Sequence, residues 1–356
     1  MYLEYFGLTA PPFRLTADSG FLFMSEPHSR AKSYMDYTVW NREGFVVITG
    51  EIGCGKTTLI QKLLSELDEN VLVAKVLQTQ LDETEFLQAV LLEFGLNPAA
   101  AKKAELLDML NGFLVEQFLG RKQIVLIVDE AHNLSRKVLE EIRVLACLES
   151  QNEKILHVIL VGQPQLNEIL DDPEMVQLMQ RVKLRYHIRA LSEEEQGDYI
   201  RHRLSIVSVS NRTLFSPETL PLIYTYAGGV PRLINTLCDT ALTCACVRKL
   251  PEITAEVVEE AVKELQWPEY AQRADKRRVN ATPGVVDARV QATLREHAQT
   301  LAALAAQVGR LEKLAPTLES IAKRLEAIET HVRNLTRARG AQARPDPTVE
   351  RRRGSR

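Results

Sequence analysis

Apolar positions along the chain change their period three times. Between residues 45 and 190, short apolar runs rich in β-branched residues alternate with longer stretches of helical spacing. Phe45–Thr49, Val71–Val76, Ile124–Val128, Leu156–Val161 and Lys183–Ile188 read as strands. Runs that are apolar at nearly every position need cover on both faces, which a parallel sheet between helical layers supplies. From 191 to 266 the spacing is helical throughout. Ser192-Glu193-Glu194-Glu195 reads as an N-cap with an acidic first turn, and Ser216-Pro217-Glu218 as another helix start. Gly228-Gly229-Val230-Pro231 interrupts the pattern, and Thr254 opens a last helix. The expected fold class is α/β: a parallel sheet sandwiched by helices, then a small all-α lid domain and a C-terminal coiled-coil helix.

The flanks follow other rules. Residues 1–44 form an aromatic-rich lead-in with Tyr5, Phe6, Phe13, Phe21 and Phe23, broken by Pro11-Pro12 and expected to pack on the 45–190 core. Residues 267–284 turn polar and basic, as a linker does. Over 285–337, Val290, Leu294, Leu301, Leu304, Val308 and Leu311 recur at steps of three and four once His297 is counted. The pattern resumes at Leu314, Leu318, Ile321, Leu325, Ile328, Val332 and Leu335. Such spacing predicts a coiled coil, with one amphipathic helix packed on the body as the alternative, and the register breaks beside Pro316. Residues 338–356, rich in Arg and Pro, read as a disordered basic tail.

Composition changes this picture in one respect. Hydrophobic residues at 45% and charged residues at 26% are ordinary for a soluble globular protein and exclude a disordered chain. The net charge of −3 hides an asymmetry: Met1 to Tyr270 carries 26 Lys+Arg against 38 Asp+Glu, a balance of −12, whereas Ala271 to Arg356 carries 18 against 9, a balance of +9. An acidic body argues against DNA as the main substrate and leaves the basic end as the contact for an anionic partner. The five cysteines are scattered without a CxxC pair, as reduced cytosolic thiols are. The opening MYLEYFGLTAPPF lacks the pattern of a signal peptide, and no apolar run nears the ~20 residues of a membrane span. These features lead us to expect a cytoplasmic protein, peripheral at a membrane only through partners.

The sharpest chemistry is Gly50-Glu51-Ile52-Gly53-Cys54-Gly55-Lys56-Thr57-Thr58, set between a predicted strand and a predicted helix. Glycines let a backbone wrap phosphate oxygens, successive N–H groups converge on them, and the helix N-terminus adds partial positive charge. Lys56 then reaches the β- and γ-phosphates of ATP, and the Thr57 hydroxyl ligates Mg²⁺. About 70 residues on, the strand Ile124–Val128 ends in Asp129-Glu130-Ala131-His132. Asp129 is expected to hold Mg²⁺ through water and Glu130 to polarise the attacking water. His132, a lone histidine after the acid pair, reads as ordering that loop. Phe13 and Phe21 have two readings, stacking on adenine or packing against the core.

The phosphate loop, the segment Asp129–His132 and Leu160-Val161-Gly162-Gln163-Pro164-Gln165-Leu166 together resemble the AAA+ ATPases of the general secretion pathway protein A type. The secretion ATPase subfamily associated with exosortase and exopolysaccharide loci is the nearest in look. Tyr5-Phe6-Gly7-Leu8-Thr9-Ala10-Pro11-Pro12-Phe13 and Gly228-Gly229-Val230-Pro231-Arg232 match the same pattern, so the resemblance spans roughly Met1 to Leu265. It implies that Gln163 is the sensor-1 side chain and Arg232 the sensor-2 arginine of the lid. It further implies that Arg181, with Arg185 as rival, is a finger acting across a subunit boundary in a dimer or ring. Some longer members carry a membrane span and a peptidoglycan-binding module where this chain has the coiled-coil pattern and basic tail.

Three functions are therefore expected to compete. The first is an ATP-hydrolysing protein that powers or regulates an envelope secretion or polysaccharide-export machinery. The second is a DNA-associated regulator similar to transposition ATPases. The third is a scaffold that uses ATP only as an assembly switch, which an intact Glu130 disfavours.

Overall fold

The computed structural model describes residues 2–41, 44–98, 102–150, 153–209 and 213–273. The coiled-coil pattern, the basic tail and most of the linker expected from sequence lie outside them. In chain order the first elements are α1 (Tyr2–Phe6), α2 (Glu26–Trp40), β1 (Phe45–Gly50), α3 (Lys56–Glu66), β2 (Val71–Val76), α4 (Glu83–Glu93) and α5 (Lys103–Leu119). Next come β3 (Gln123–Val128), α6 (Arg136–Leu145), the two-residue ladder β4 (Glu149–Ser150) and β5 (Glu153–Lys154), β6 (Leu156–Gly162), α7 (Gln165–Leu170), α8 (Val176–Met179) and β7 (Val182–Ile188). Four helices follow: α9 (Glu193–Val207), α10 (Thr219–Ala227), α11 (Pro231–Val247) and α12 (Ala255–Glu264).

All five predicted strands form, within a residue at either end. They make one parallel sheet in the order β2-β3-β6-β1-β7. The three inner strands are buried at nearly every position, because helices cover both faces. Alternate residues serve the two layers: Phe45 and Val47 of β1 face α4–α8, whereas Val46 and Ile48 face α2 and α3. The same alternation runs through β3, with Leu126 on one side and Ile127 on the other. Each fully buried aliphatic contributes about 1.5–3 kcal/mol relative to exposure.

Helix starts are set by local chemistry. Asp82 and Glu85 close a capping box on α4, and Ser192, the N-cap the sequence predicts, closes one with Glu195 on α9. The start expected at Ser216 falls slightly later, since α10 begins at Thr219. Gly228 (φ +58) ends α10 in the left-handed region, and Gly229 (φ +70) follows it. A side chain on Gly229 would overlap the Leu191 carbonyl, and Leu191 N–H donates to the Gly229 oxygen at 2.9 Å. The exit from the sheet is thereby clamped to the turn that launches α11.

The lead-in divides, in contrast to the expectation that it packs as a whole on the sheet domain. Helix α2 does so through Ala31, Met35 and Val39, and Leu22 packs against the same layer. The aromatics Phe6, Phe13 and Phe21 join the helical cluster of Tyr199, Ile223, Leu237 and Ile253. Thr9 N–H donates to the Val207 oxygen at 2.8 Å, and the Phe13 and Phe215 rings meet edge to face at 6.0 Å. Among the described residues no helix is long and apolar enough to cross a membrane.

Candidate active site

The phosphate loop sits where β1 ends and α3 begins. Gly53 and Gly55 both hold φ near +85, a conformation that favours glycine, and each leaves room for a specific neighbour. A Cβ on Gly53 would lie 2.5 Å from the Arg232 Cβ, and Arg232 N–H donates to the Gly53 oxygen at 3.2 Å. A Cβ on Gly55 would lie 3.0 Å from Nε2 of His28. The loop therefore touches the lid on one side and α2 on the other.

Lys56 is 6% exposed, and its Nζ donates to the carbonyls of Gly50 (2.8 Å) and Glu51 (3.0 Å). Burial pulls its pKa below the ordinary lysine value, and the nearby carboxylates of Glu130 and Asp129 oppose that pull. The Thr57 hydroxyl donates to Oδ2 of Asp129 at 2.8 Å. Asp129 is buried, and its Oδ1 accepts from the Glu130 N–H at 2.9 Å. Glu130 itself holds φ +52, a left-handed conformation that costs a non-glycine residue about 1 kcal/mol or more. At the end of β6, Gln163 Nε2 lies 3.3 Å from Glu130 Oε2 and 2.8 Å from His132 Nε2. The structure thus brings Lys56, Thr57, Asp129, Glu130 and Gln163 to one end of the sheet.

Two residues behind the loop carry no motif. His28 is buried, 2.7 Å from the Ser25 hydroxyl and 2.8 Å from the Cys54 carbonyl, and burial lowers its pKa. Its imidazole props the loop from the α2 side. Burial likewise pushes the Cys54 thiol up to about 11, so it is protonated and inert.

A cavity of about 340 Å³ opens beside the loop, lined by Gly53, Lys56, Thr57 and Glu130, by Arg14–Asp18, and by Tyr199, Arg203 and Arg232. Sequence reasoning missed its far wall. Arg203 is 6% exposed and donates to the carbonyls of Pro12 (2.6 Å) and Arg14 (3.3 Å) and to the Tyr199 hydroxyl (2.9 Å). Its guanidinium lies over the rings of Phe21 (4.9 Å) and Tyr199 (5.7 Å). The available signal was its place within the apolar stripe Tyr199, Ile200, Leu204, Val207 of α9. Of the two readings of Phe13 and Phe21, Phe13 is buried in the core, and Phe21, which lines the cavity, lies under the guanidinium groups of Arg14 and Arg203.

The two rival arginines separate clearly. Arg185 is tied to Asp171 Oδ1 at 2.6 Å and to Asn167 Oδ1 at 2.9 Å. The guanidinium of Arg181 makes no ion pair or hydrogen bond among the described residues. Neither lines the cavity, whereas Arg232, exposed at the start of α11, does.

A family model described as an AAA domain matches residues 40–170. General secretion pathway protein A of Aeromonas hydrophila is 38% identical over 249 residues, covering 70% of this chain and 45% of that protein. The chain thus spans less than half the length of this curated relative. Among solved structures, the ORC2 protein of Aeropyrum pernix, in its ADPNP-ADP complexes, superposes with a TM-score of 0.55 at 17% identity over 71% of each chain. Cdc6p of Pyrobaculum aerophilum gives 0.57 at 15% identity, covering 71% of this chain and 70% of its own. At such identities the likeness concerns the fold, which is that of the AAA+ P-loop proteins.

Proposed function

We propose that this chain binds ATP with Mg²⁺ and hydrolyses it, driving or regulating an envelope secretion system. The observation that carries the reading is the convergence of Lys56, the Thr57–Asp129 pair and Glu130 on one cavity, three elements that a nucleotide hydrolase needs together. Gly50 to Thr58 would wrap the phosphates, with Lys56 exchanging its two carbonyl contacts for phosphate oxygens. The donor set at Thr57 and Asp129, one hydroxyl and one carboxylate, fits a hard cation that keeps several waters. Mg²⁺ there would neutralise phosphate charge. Glu130 would take a proton from the attacking water, and Gln163 and Arg232 would report on the terminal phosphate. The unpaired Arg181 is the better candidate for a finger reaching into a neighbouring subunit of a dimer or ring. The name of the Aeromonas relative supports secretion as the process, and export of polysaccharide or an exosortase-sorted product is the finer reading.

The test is phosphate release and ATP binding against protein concentration. Wild type should hydrolyse ATP with a specific activity that rises with concentration. Glu130→Gln should retain ATP without turnover, and Arg181→Ala should bind normally yet lose the rise. No turnover at any concentration in wild type would sink the reading. The balance of +9 beyond Ala271 supports a second reading as a DNA-associated regulator, which stimulation of turnover by DNA would favour.

A further inference from the structure

Donors of different origin hold the carbonyls of the phosphate loop. Lys56 Nζ takes those of Gly50 and Glu51, and the Arg232 N–H of the lid takes that of Gly53. The Cys54 carbonyl faces His28 Nε2 at 2.8 Å, on a helix that carries no phosphate-binding motif. A carbonyl only accepts, so Nε2 is the ring nitrogen that bears the proton. Nδ1 is then an acceptor, and the Ser25 hydroxyl donates to it at 2.7 Å. Ser25 stands at the N-cap of α2, where a serine hydroxyl usually satisfies an N–H of the first turn. It makes no cap bond here and serves the imidazole instead.

The peptide unit between Cys54 and Gly55 is planar and trans, so its C=O and N–H point in opposite directions. Fastening the Cys54 oxygen to α2 therefore turns the Gly55 N–H away from α2. That N–H makes no hydrogen bond among the described residues. It directly precedes α3, whose first-turn N–H groups have no acceptor within the helix. Left to itself this peptide unit would be free to turn over, because glycine at 55 accepts either sign of φ. We propose that His28, as the Nε2–H tautomer, is a positioning residue that sets this peptide plane and so presents the Gly55 N–H to a nucleotide phosphate; this rests on the reading of the loop as the ATP site. In that reading Lys56 exchanges its carbonyls for phosphate oxygens. The bond from His28 lies at the opposite end of the peptide unit from the phosphate and persists.

The first test is spectroscopic. Imidazole ¹⁵N NMR of the full chain without nucleotide, with the His28 signal identified by its loss in His28→Gln, should show the proton on Nε2. A proton on Nδ1 alone would overturn the proposal. Saturating wild type with Mg·ADP should shift the Gly55 amide signal, and an unmoved signal would overturn it as well. The second test measures binding and turnover. His28→Leu should weaken Mg·ATP binding by about 10- to 100-fold, as losing one hydrogen bond to a charged group does. Most of that loss should appear in KM and little in kcat, since the contact serves substrate and transition state alike. His28→Gln, whose amide can donate from near the Nε2 position, should recover most of it. Unchanged affinity in His28→Leu, equal losses in both variants, or a loss carried by kcat alone would each overturn the proposal. If His28→Leu does not fold, the ring tautomer and the Gly55 shift still decide. Wild type separates the two ideas. If it binds neither Mg·ATP nor Mg·ADP, the nucleotide reading falls and this proposal with it. If it binds Mg·ATP and His28→Leu binds equally well, only the positioning role falls.

Discussion

The two ends of the cavity are built in opposite ways. At the phosphate end the loop from Gly50 to Thr57 and the acid pair at the tip of β3 sit at the same end of one sheet, with β6 between their strands. At the other end Pro12 and Arg14 are fastened to Arg203 across 191 and 189 residues of chain. The first end is a local device that short sequence encodes almost by itself. The second exists only once α9 has been folded against the lead-in. The comparison teaches that binding chemistry and pocket shape are separable here, so mutations should hurt one without the other.

Lys56→Ala should produce the largest effect. Nucleotide binding should fall at least 100-fold by fluorescent-nucleotide titration, while Tm without ligand holds or rises because a buried ammonium has been removed. Tight binding in this variant would erase the contrast between the ends. Arg203→Met comes next: three acceptors lose their donor, at about 1–3 kcal/mol each as an upper bound before relaxation. Here Tm should drop, protease cleavage between residues 9 and 23 should quicken, and nucleotide affinity should weaken only several-fold. Equal losses from both variants would mean that the far wall binds as strongly as the loop. Ser192→Ala removes the cap of α9 and should cost about 1 kcal/mol in denaturant unfolding with turnover unchanged.

The smallest effect is one of pH. Burial lowers the folded-state pKa of His28, so the unfolded chain takes up its proton first as pH falls below the ordinary value of 6.5. The stability contributed by the neutral ring is complete above that pH and is lost progressively below it. His132 and His202 are lowered by burial as well and act in the same direction. His28→Gln should flatten, but not abolish, the fall in stability between pH 7 and mildly acidic conditions, and an unchanged slope would remove His28 from behind the loop.

What the sequence disclosed follows from the same contrast. Strands covered on both faces announce themselves as apolar runs, and the phosphate loop and the acid pair announce themselves by spacing. Helix α2 did not, because its buried face includes Lys32 and Thr38 and so breaks the apolar stripe. Lys32 is tolerated there by Asp36 one turn on at 2.7 Å and by Glu66 of α3 at 2.5 Å, a partner that only the fold supplies. His28 and Arg203 were hidden for the same reason, since each works through carbonyls contributed by distant segments. Arg181 and Arg185 likewise differ in partners that the sequence does not announce, since Arg185 is paired with Asp171 and Asn167.

The strand order also bears on how the chain is made. β1 lies between β6 and β7, so both of its edges wait for sequence that comes much later. Its second partner is complete only at Ile188, 138 positions after Gly50. At about 5–20 residues per second of synthesis, that delay is on the order of ten seconds. Through that interval Val46, Val47 and Ile48 have no finished sheet to enter, although β2 and β3 can already pair with each other. A ribosome that stalls before Val182 holds a finished phosphate loop on a strand with an open edge, and that nascent species is the one most exposed to aggregation and to capture by chaperones.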